Sequence, residues 1–349
     1  MKVGSLLVGA AIIFGTIVAI LFFWTRQSSS EGIPNISNDN AGILPSPSPF
    51  LFEELTIPYL RNRDYAGDLG QMIQVSNNSN YTSYLTSYDS DGLKINGLLT
   101  IPEGQEPDGG WPAVVFVHGY IPPRQYLTIQ NYASYVDYLA RNGLVVFKID
   151  LRGHADSEGD ANGAYYSSDY VVDALNARAA LQSSEFVNPQ SIGLWGHSMA
   201  GNVVFRSLAA KPDIPAIVIW AGAVYSYSDL QKYGIDDGSY QQPPNDSERQ
   251  KKRELLRETY GDFSEDSSFW KQVAGTNFIS DIGGAIQINH AVDDNVVDIG
   301  YSRDLMKLLD NTNVIHELKE QPSGGHNISG SSFNSAMQNT VEFFKENLD

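Results

Sequence analysis

One stretch constrains this chain more than any other: residues 191–207, read Ser-Ile-Gly-Leu-Trp-Gly-His-Ser-Met-Ala-Gly-Asn-Val-Val-Phe-Arg-Ser. An apolar run over 192–195 predicts a short strand. It passes through a glycine-flanked turn into a predicted helix over about 199–210, the context in which a serine is raised on a tight strand-to-helix turn. Ser198 at that turn would hold its hydroxyl at the edge of a sheet, beside the free N–H groups of a helix N-terminus. Gly196 lets strand and helix approach closely. The pattern is G-x-S-x-A, with Ala200 in the last small position and Gly201 after it.

The rest of the chain alternates around this turn. Residues 81–88 and 93–101 predict two strands joined by Asp89-Ser-Asp-Gly92, whose Asp-Gly pair is a hairpin signal. The unbroken apolar run 113–117 predicts a strand buried on both faces, ended by His118-Gly119-Tyr120. A helix is expected over 129–141, apolar at Tyr132, Tyr135, Val136 and Leu139 and stopped by Asn142-Gly143. A strand over 144–149, a loop over 150–159 and a helix over 170–181 lead into the serine turn. Beyond it come a strand (216–220), a strand (285–289), a helix (299–309), a strand (314–318) and a last helix (332–347). Strands and helices at this spacing predict an α/β fold with a mainly parallel central sheet and helices on both faces. Residues 223–277 break the alternation. They are expected to form a small helical cap insertion over the sheet's C-terminal edge, with Ser247 and Gln250 as a capping box.

The N-terminal part reads differently. Residues 4–24 carry no charge and are bracketed by Lys2 and Arg26, a span long enough for a helix to cross a hydrocarbon core of about 30 Å. No small-residue cleavage site follows it, so 1–26 is expected to be an uncleaved N-terminal transmembrane helix. The slight excess of positive charge before it places the catalytic part outside the cytoplasm. Residues 27–49, rich in Ser, Asn, Gly and Pro, read as a linker, leaving 50–349 as the catalytic domain.

Composition removes several classes of function. A net charge of -18 leaves no clustered cations for a nucleic-acid surface. The absence of cysteine removes disulfides, thiolate metal sites and a cysteine nucleophile. No His-Glu-x-x-His or comparable spacing implies a metal, and no cofactor is called for.

A serine hydroxyl becomes a nucleophile only when a base takes its proton, and the base must be oriented by a carboxylate. Six histidines compete: His118, His154, His197, His290, His316 and His326. His197 adjoins Ser198 on the backbone and its ring should point away. His118 and His290 end strands and His316 lies in one, so a structural role is expected for each. His326, in Gly324-Gly325-His326-Asn327, sits on a loop between the last strand and last helix, from which it can lean over the sheet edge. For the acid, the loop after strand 285–289 offers Asp293, Asp294 and Asp298.

The order serine, aspartate, histidine, together with Gly-His-Ser-Met-Ala-Gly, His118-Gly119, Asp150-x-Arg152-Gly153-x-x-x-Ser157, His290-Ala-Val-Asp-Asp294 and Gly325-His326, resembles the α/β-hydrolases. The leading hairpin and the missing long lid are similar to the catalytic domain of the prolyl oligopeptidase (S9-like) group and its esterase relatives. The resemblance covers about 81–349. It implies Ser198 as nucleophile, His326 as general base and Asp294 as acid, with Asp293 as a rival because Ala291 replaces a usual glycine. It also implies an oxyanion hole from the backbone N–H groups of Tyr120 and Met199. Asp150 and Arg152 are expected to form an ion pair bracing a strand end.

The function these readings imply is a membrane-anchored serine hydrolase that cleaves an ester or small amide through an acyl-enzyme, without metal or cofactor. The alternatives are an S9-like peptidase of short peptides and a catalytically silent fold used as a binding module. The aromatic residues of the cap, among them Tyr240 and Phe263, are expected mostly to pack it down and in part to line a pocket for a small hydrophobic acyl group. The oligomeric state is not legible.

Overall fold

The computed structural model describes residues 50–348. The expected membrane helix and linker lie outside the described residues, and no helix among those described is long and apolar enough to cross a membrane.

Nine strands form one sheet among the described residues: β1 (Ile73–Asn77), β2 (Tyr81–Ser90), β3 (Leu93–Pro102), β4 (Trp111–Val117), β5 (Val145–Ile149), β6 (Val187–His197), β7 (Ala216–Trp220), β8 (Ala285–Ala291) and β9 (His316–Gln321), in the spatial order β1-β2-β3-β5-β4-β6-β7-β8-β9. From β5 to β9 every pairing is parallel, and β1, β2 and β3 extend one side antiparallel. The helices are α1 (Ile57–Asn62), α2 (Ala133–Arg141), α3 (Asp169–Gln182), α4 (Met199–Ala210), α5 (Tyr227–Tyr233), α6 (Glu248–Tyr260), α7 (Trp270–Val273), α8 (Gly300–Leu309) and α9 (Ser331–Asn347). The mainly parallel sheet with helices on both faces is thus as the spacing predicts.

Strand periodicity divides the core in two. On β4, Ala113, Val115 and Val117 face the layer that holds α3, α4 and α8, while Val114 and Phe116 face the layer of α2 and α9. Because both faces are covered, these strands show no polar alternation and read as unbroken apolar runs. The hairpin turn is Asp91-Gly92, both at positive φ (60° and 76°), the conformation that favours Gly at the second position.

Three elements differ from expectation. β1 was not foreseen: its five side chains are all exposed, so backbone pairing to β2 holds it and no hydrophobic pattern marks it. Helix α2 starts at Ala133 and not near 129, because Tyr132 adopts a left-handed conformation (φ 60°) and its hydroxyl is used elsewhere. The strand expected over 314–318 is β9 at His316–Gln321, an edge strand whose half-exposed residues carry little periodic signal.

The cap is helical, as expected. Ser247 Oγ accepts the Gln250 backbone N–H at 3.2 Å, but the Gln250 side chain turns to Glu254, so only half of the capping box forms. Leu256 on α6 and Phe269 and Trp270 pack with Leu55, Phe50 and Phe52 of residues 50–56, the lead-in to α1, and the Tyr260 hydroxyl donates to the Leu51 carbonyl at 2.7 Å.

Candidate active site

Ser198 joins β6 to α4 at φ 56°, ψ -121°, a conformation that costs backbone strain in a residue with a side chain. Two bonds hold it there: its N–H donates to the Trp220 carbonyl of β7 at 2.9 Å, and its carbonyl accepts from Gly201 at 2.9 Å. A Cβ at Gly196 would stand 2.6 Å from the Ala200 carbonyl oxygen, so the crossing of strand and helix requires glycine there. Ala200, in the last position of the motif, is fully buried.

Asp294 and His326 meet. His326 Nδ1 lies 2.8 Å from Asp294 Oδ2, and the aspartate side chain has no exposed surface. Its other oxygen accepts the N–H groups of Val296 (2.9 Å) and Val297 (3.0 Å). His290, expected to be structural, supplies a fourth bond: its Nε2–H points at Asp294 Oδ2 (3.1 Å) and the Val297 carbonyl (2.9 Å), while Nδ1 accepts from the Ser302 hydroxyl (2.7 Å). Burial pushes the Asp294 carboxyl up, but the bonds from His290 and His326 outweigh it and hold the group well below the usual carboxylate range.

The neighbouring aspartates do other work. Asp293 accepts the backbone N–H groups of Gly325 (2.8 Å) and Gly324 (3.2 Å) and so fixes the loop that carries His326, making no contact with the ring itself. Asp298 accepts from Gly300 N–H (2.7 Å) at the start of α8.

His197 turns its ring away from Ser198, as expected, toward the loop of His326. Its Nε2–H donates to the His326 carbonyl at 2.9 Å, and its Nδ1 accepts from the Tyr132 hydroxyl at 2.7 Å, which in turn accepts from Gly119 N–H at 3.0 Å. The direction of this chain is forced, because a carbonyl can only accept and an amide N–H can only donate. Burial first, then the nearby His326, lowers the His197 pKa to about 3. The sequence marks neither His197 nor Tyr132 for this role. His290, four residues before Asp294, did carry a spacing signal.

Met199 is the first residue of α4, so its N–H has no intrahelical acceptor. The Tyr120 N–H has no acceptor among the described residues. Both residues line a cavity of about 340 Å³ that reaches Ser198. As expected, the cap's aromatic residues mostly pack it down, with Tyr225, Tyr227 and Trp270 buried, and in part line the cavity, through Tyr240 and Phe263; Tyr165 and Tyr166, before α3, and Tyr170, in its first turn, add to the wall. A second cavity of about 510 Å³ also reaches Ser198 and is lined by His197, His326 and Asn327. No hydrogen bond joins Ser198 Oγ to His326, a spacing common in sites without substrate.

The expected Asp150–Arg152 pair does not form. Asp150 accepts from Thr128 Oγ1 (2.6 Å) and the Tyr126 hydroxyl (3.0 Å), whereas Arg152 pairs with buried Asp173 at 2.6 Å. Both side chains end buried, each satisfied by a different partner, and neither reaches Ser198.

A family model described as serine aminopeptidase, S33, matches residues 111–234, a span that contains Tyr120, Ser198 and Met199 and ends before Asp294 and His326. A thiohydrolase of Aspergillus aculeatus is 30% identical over 111 residues, 32% of this chain and 32% of that protein. A polyketide transferase of Penicillium crustosum is 30% identical over 148 residues, 42% of this chain and 46% of that protein. The matched part therefore spans less than half the length of these curated relatives. Among solved structures, an acetyl xylan esterase from Paenibacillus sp. R4 superposes with a TM-score of 0.58 at 16% identity, over 83% of this chain and 92% of that one. The acylaminoacyl peptidase of Pyrococcus horikoshii superposes with a TM-score of 0.59 at 19% identity, over 77% of this chain and 42% of that one.

Proposed function

We propose that this chain, whose fold is that of the α/β-hydrolases, is a serine hydrolase that cleaves an ester or small amide through an acyl-enzyme. The observation that carries the reading is the 2.8 Å contact between His326 Nδ1 and an Asp294 carboxylate with no exposed side-chain surface, with His326 lining the same cavity as the strained turn of Ser198. Asp294 holds His326 with Nε2 free to take a proton. Ser198 Oγ attacks the substrate carbonyl and His326 accepts its proton. The N–H groups of Tyr120 and Met199 receive the charge that develops on oxygen. His326 then protonates the leaving group, so the leaving group belongs in the cavity that His326 lines and the acyl group in the other. Water repeats the sequence and frees the acid.

A fluorophosphonate probe should add once per chain at Ser198, and Ser198→Ala should abolish the adduct. An adduct elsewhere would overturn the assignment.

A peptidase reading is supported by the description of the matching family and by the likeness to an acylaminoacyl peptidase. Matched aryl esters and aminoacyl or dipeptidyl amides separate the two. Short aryl esters should be turned over faster, and amides cleaved as well as their esters would establish a peptidase. The silent binding module fails on any turnover that Ser198→Ala removes. Residues 1–26 are proposed as a membrane anchor and 27–49 as its tether, with the catalytic domain outside the cytoplasm.

A further inference from the structure

The cavity that His326 does not line has a cationic wall. Helix α6 places Arg249, Arg253 and Arg257 at four-residue intervals on one face, and all three line the cavity that reaches Ser198. Like charges at this spacing repel, so the arrangement opposes the helix unless something negative sits against it. Arg257 meets Asp262 at 3.3 Å. Arg253 donates Nη1 to the Tyr240 hydroxyl at 2.9 Å and lies over the Tyr166 ring. Arg249 makes no hydrogen bond or ion pair with any described residue, and the Nε atoms of Arg249 and Arg253 are both buried without an acceptor. Asp237, the one acid among the lining residues, has its Oδ1 taken by the N–H and hydroxyl of Ser239. Two guanidinium groups have thus given up water on one edge and received nothing in return. In a chain of net charge -18, where acids are plentiful, Arg249 and Arg253 have no acid paired with them among the described residues.

We propose that the cavity takes an acyl group ending in a carboxylate, bound by Arg249 and Arg253 while Ser198 attacks the carbonyl at the group's other end. The substrate is then a half-ester or half-amide of a small dicarboxylic acid. This rests on the reading of Ser198 as nucleophile. A guanidinium offers parallel N–H donors that match the two oxygens of a carboxylate, and the Nη groups of Arg249 have no acceptor among the described residues. Tyr165, Tyr166 and Phe263 provide apolar walls for the carbon chain between the two ends. In the reaction the Ser198 Oγ–C bond forms, the bond to the leaving oxygen or nitrogen breaks, and the serine proton passes through His326 to the leaving group. The distal carboxylate is bound but not transformed.

The test compares 4-nitrophenyl hydrogen glutarate with methyl 4-nitrophenyl glutarate, in which the same carboxylate is masked, on the full chain. kcat/KM should favour the free acid by about tenfold or more, a difference of about 1.4 kcal/mol. Arg249→Gln and Arg253→Gln should bring the ratio toward one, and Arg249→Lys should keep part of it. A wild-type ratio at or below one overturns the inference while leaving the hydrolase reading intact. Calorimetric titration of Ser198→Ala with glutarate reads the site without turnover. Binding that Arg249→Gln removes, in a chain that cleaves neither ester, would leave the carboxylate site standing and sink the hydrolase reading. Absence of glutarate binding, or tighter binding of inorganic phosphate than of glutarate, overturns the carboxylate assignment.

Discussion

Asp294 receives four hydrogen bonds on a carboxylate with no exposed side-chain surface, and its chemistry follows from that. Asp294→Asn would present an amide N–H₂ toward a histidine nitrogen that itself carries a proton. The ring would then have to change tautomer, and kcat should fall on the order of 10³- to 10⁴-fold, read on an aryl ester. The same residue sets a pH dependence. A carboxyl held below its unfolded value contributes stability above that value and loses it as pH falls through the depressed one. Urea midpoints of wild type and Asp294→Asn should therefore differ at neutral pH and converge in strong acid. His197 acts in a higher window. Its unfolded ring takes a proton near the ordinary 6.5, but the folded ring resists until about 3, so folding stability is full above 6.5 and declines between those values. His197→Gln should flatten the slope of unfolding free energy over that range, and should also lower kcat by freeing the His326 carbonyl. A slope unchanged by the substitution would show that His197 is protonated in the fold. Of these residues the sequence made Ser198, Asp294 and His326 legible, because motif spacing marks the groups proposed to react. It left His197 and Tyr132 in the background, because groups that orient others need no fixed spacing, whereas His290 carried a spacing signal but read as the end of a strand.

Among the elements, α4 is braced by a side chain with no acidic partner among the described residues. Arg206 is buried and donates to the Leu55 carbonyl (2.6 Å), Ser168 Oγ (2.7 Å) and the Ser167 carbonyl (3.2 Å), and burial lowers its pKa to about 10. It ties the helix behind Ser198 to the lead-in and to the start of α3. Arg206→Leu leaves those acceptors buried without donors and should cost about 2–3 kcal/mol, measured by urea unfolding. In the cap, Leu256 is fully buried against Leu55 and Trp270. Leu256→Ala should cost about 2–5 kcal/mol locally and open residues 223–277 to limited proteolysis. The parallel strands and the hairpin were readable because burial on both faces and a two-residue turn leave strong marks. β1 was not, since an exposed edge strand is held by backbone alone. The Arg249 and Arg253 face of α6 carries no mark in the sequence, because only the fold turns that face toward a cavity.

Across the whole molecule, the described domain includes every residue proposed for chemistry. A chain shortened by residues 1–27 keeps all of it and should remain in the supernatant with unchanged kcat/KM; one that still sediments with membranes would place lipid affinity in the domain itself. The packing of α6 onto residues 50–56 and Tyr166 bears on a different property, the order of synthesis. Lead-in, serine turn and α6 all precede β8 in the chain, whereas Asp294 and His326 follow it. A domain folds as a unit during synthesis, and the residues proposed for chemistry are spread from Tyr120 to His326 of a single sheet. A growing chain therefore carries Ser198 long before it carries the proposed base, and an unfinished chain has nothing to activate that serine.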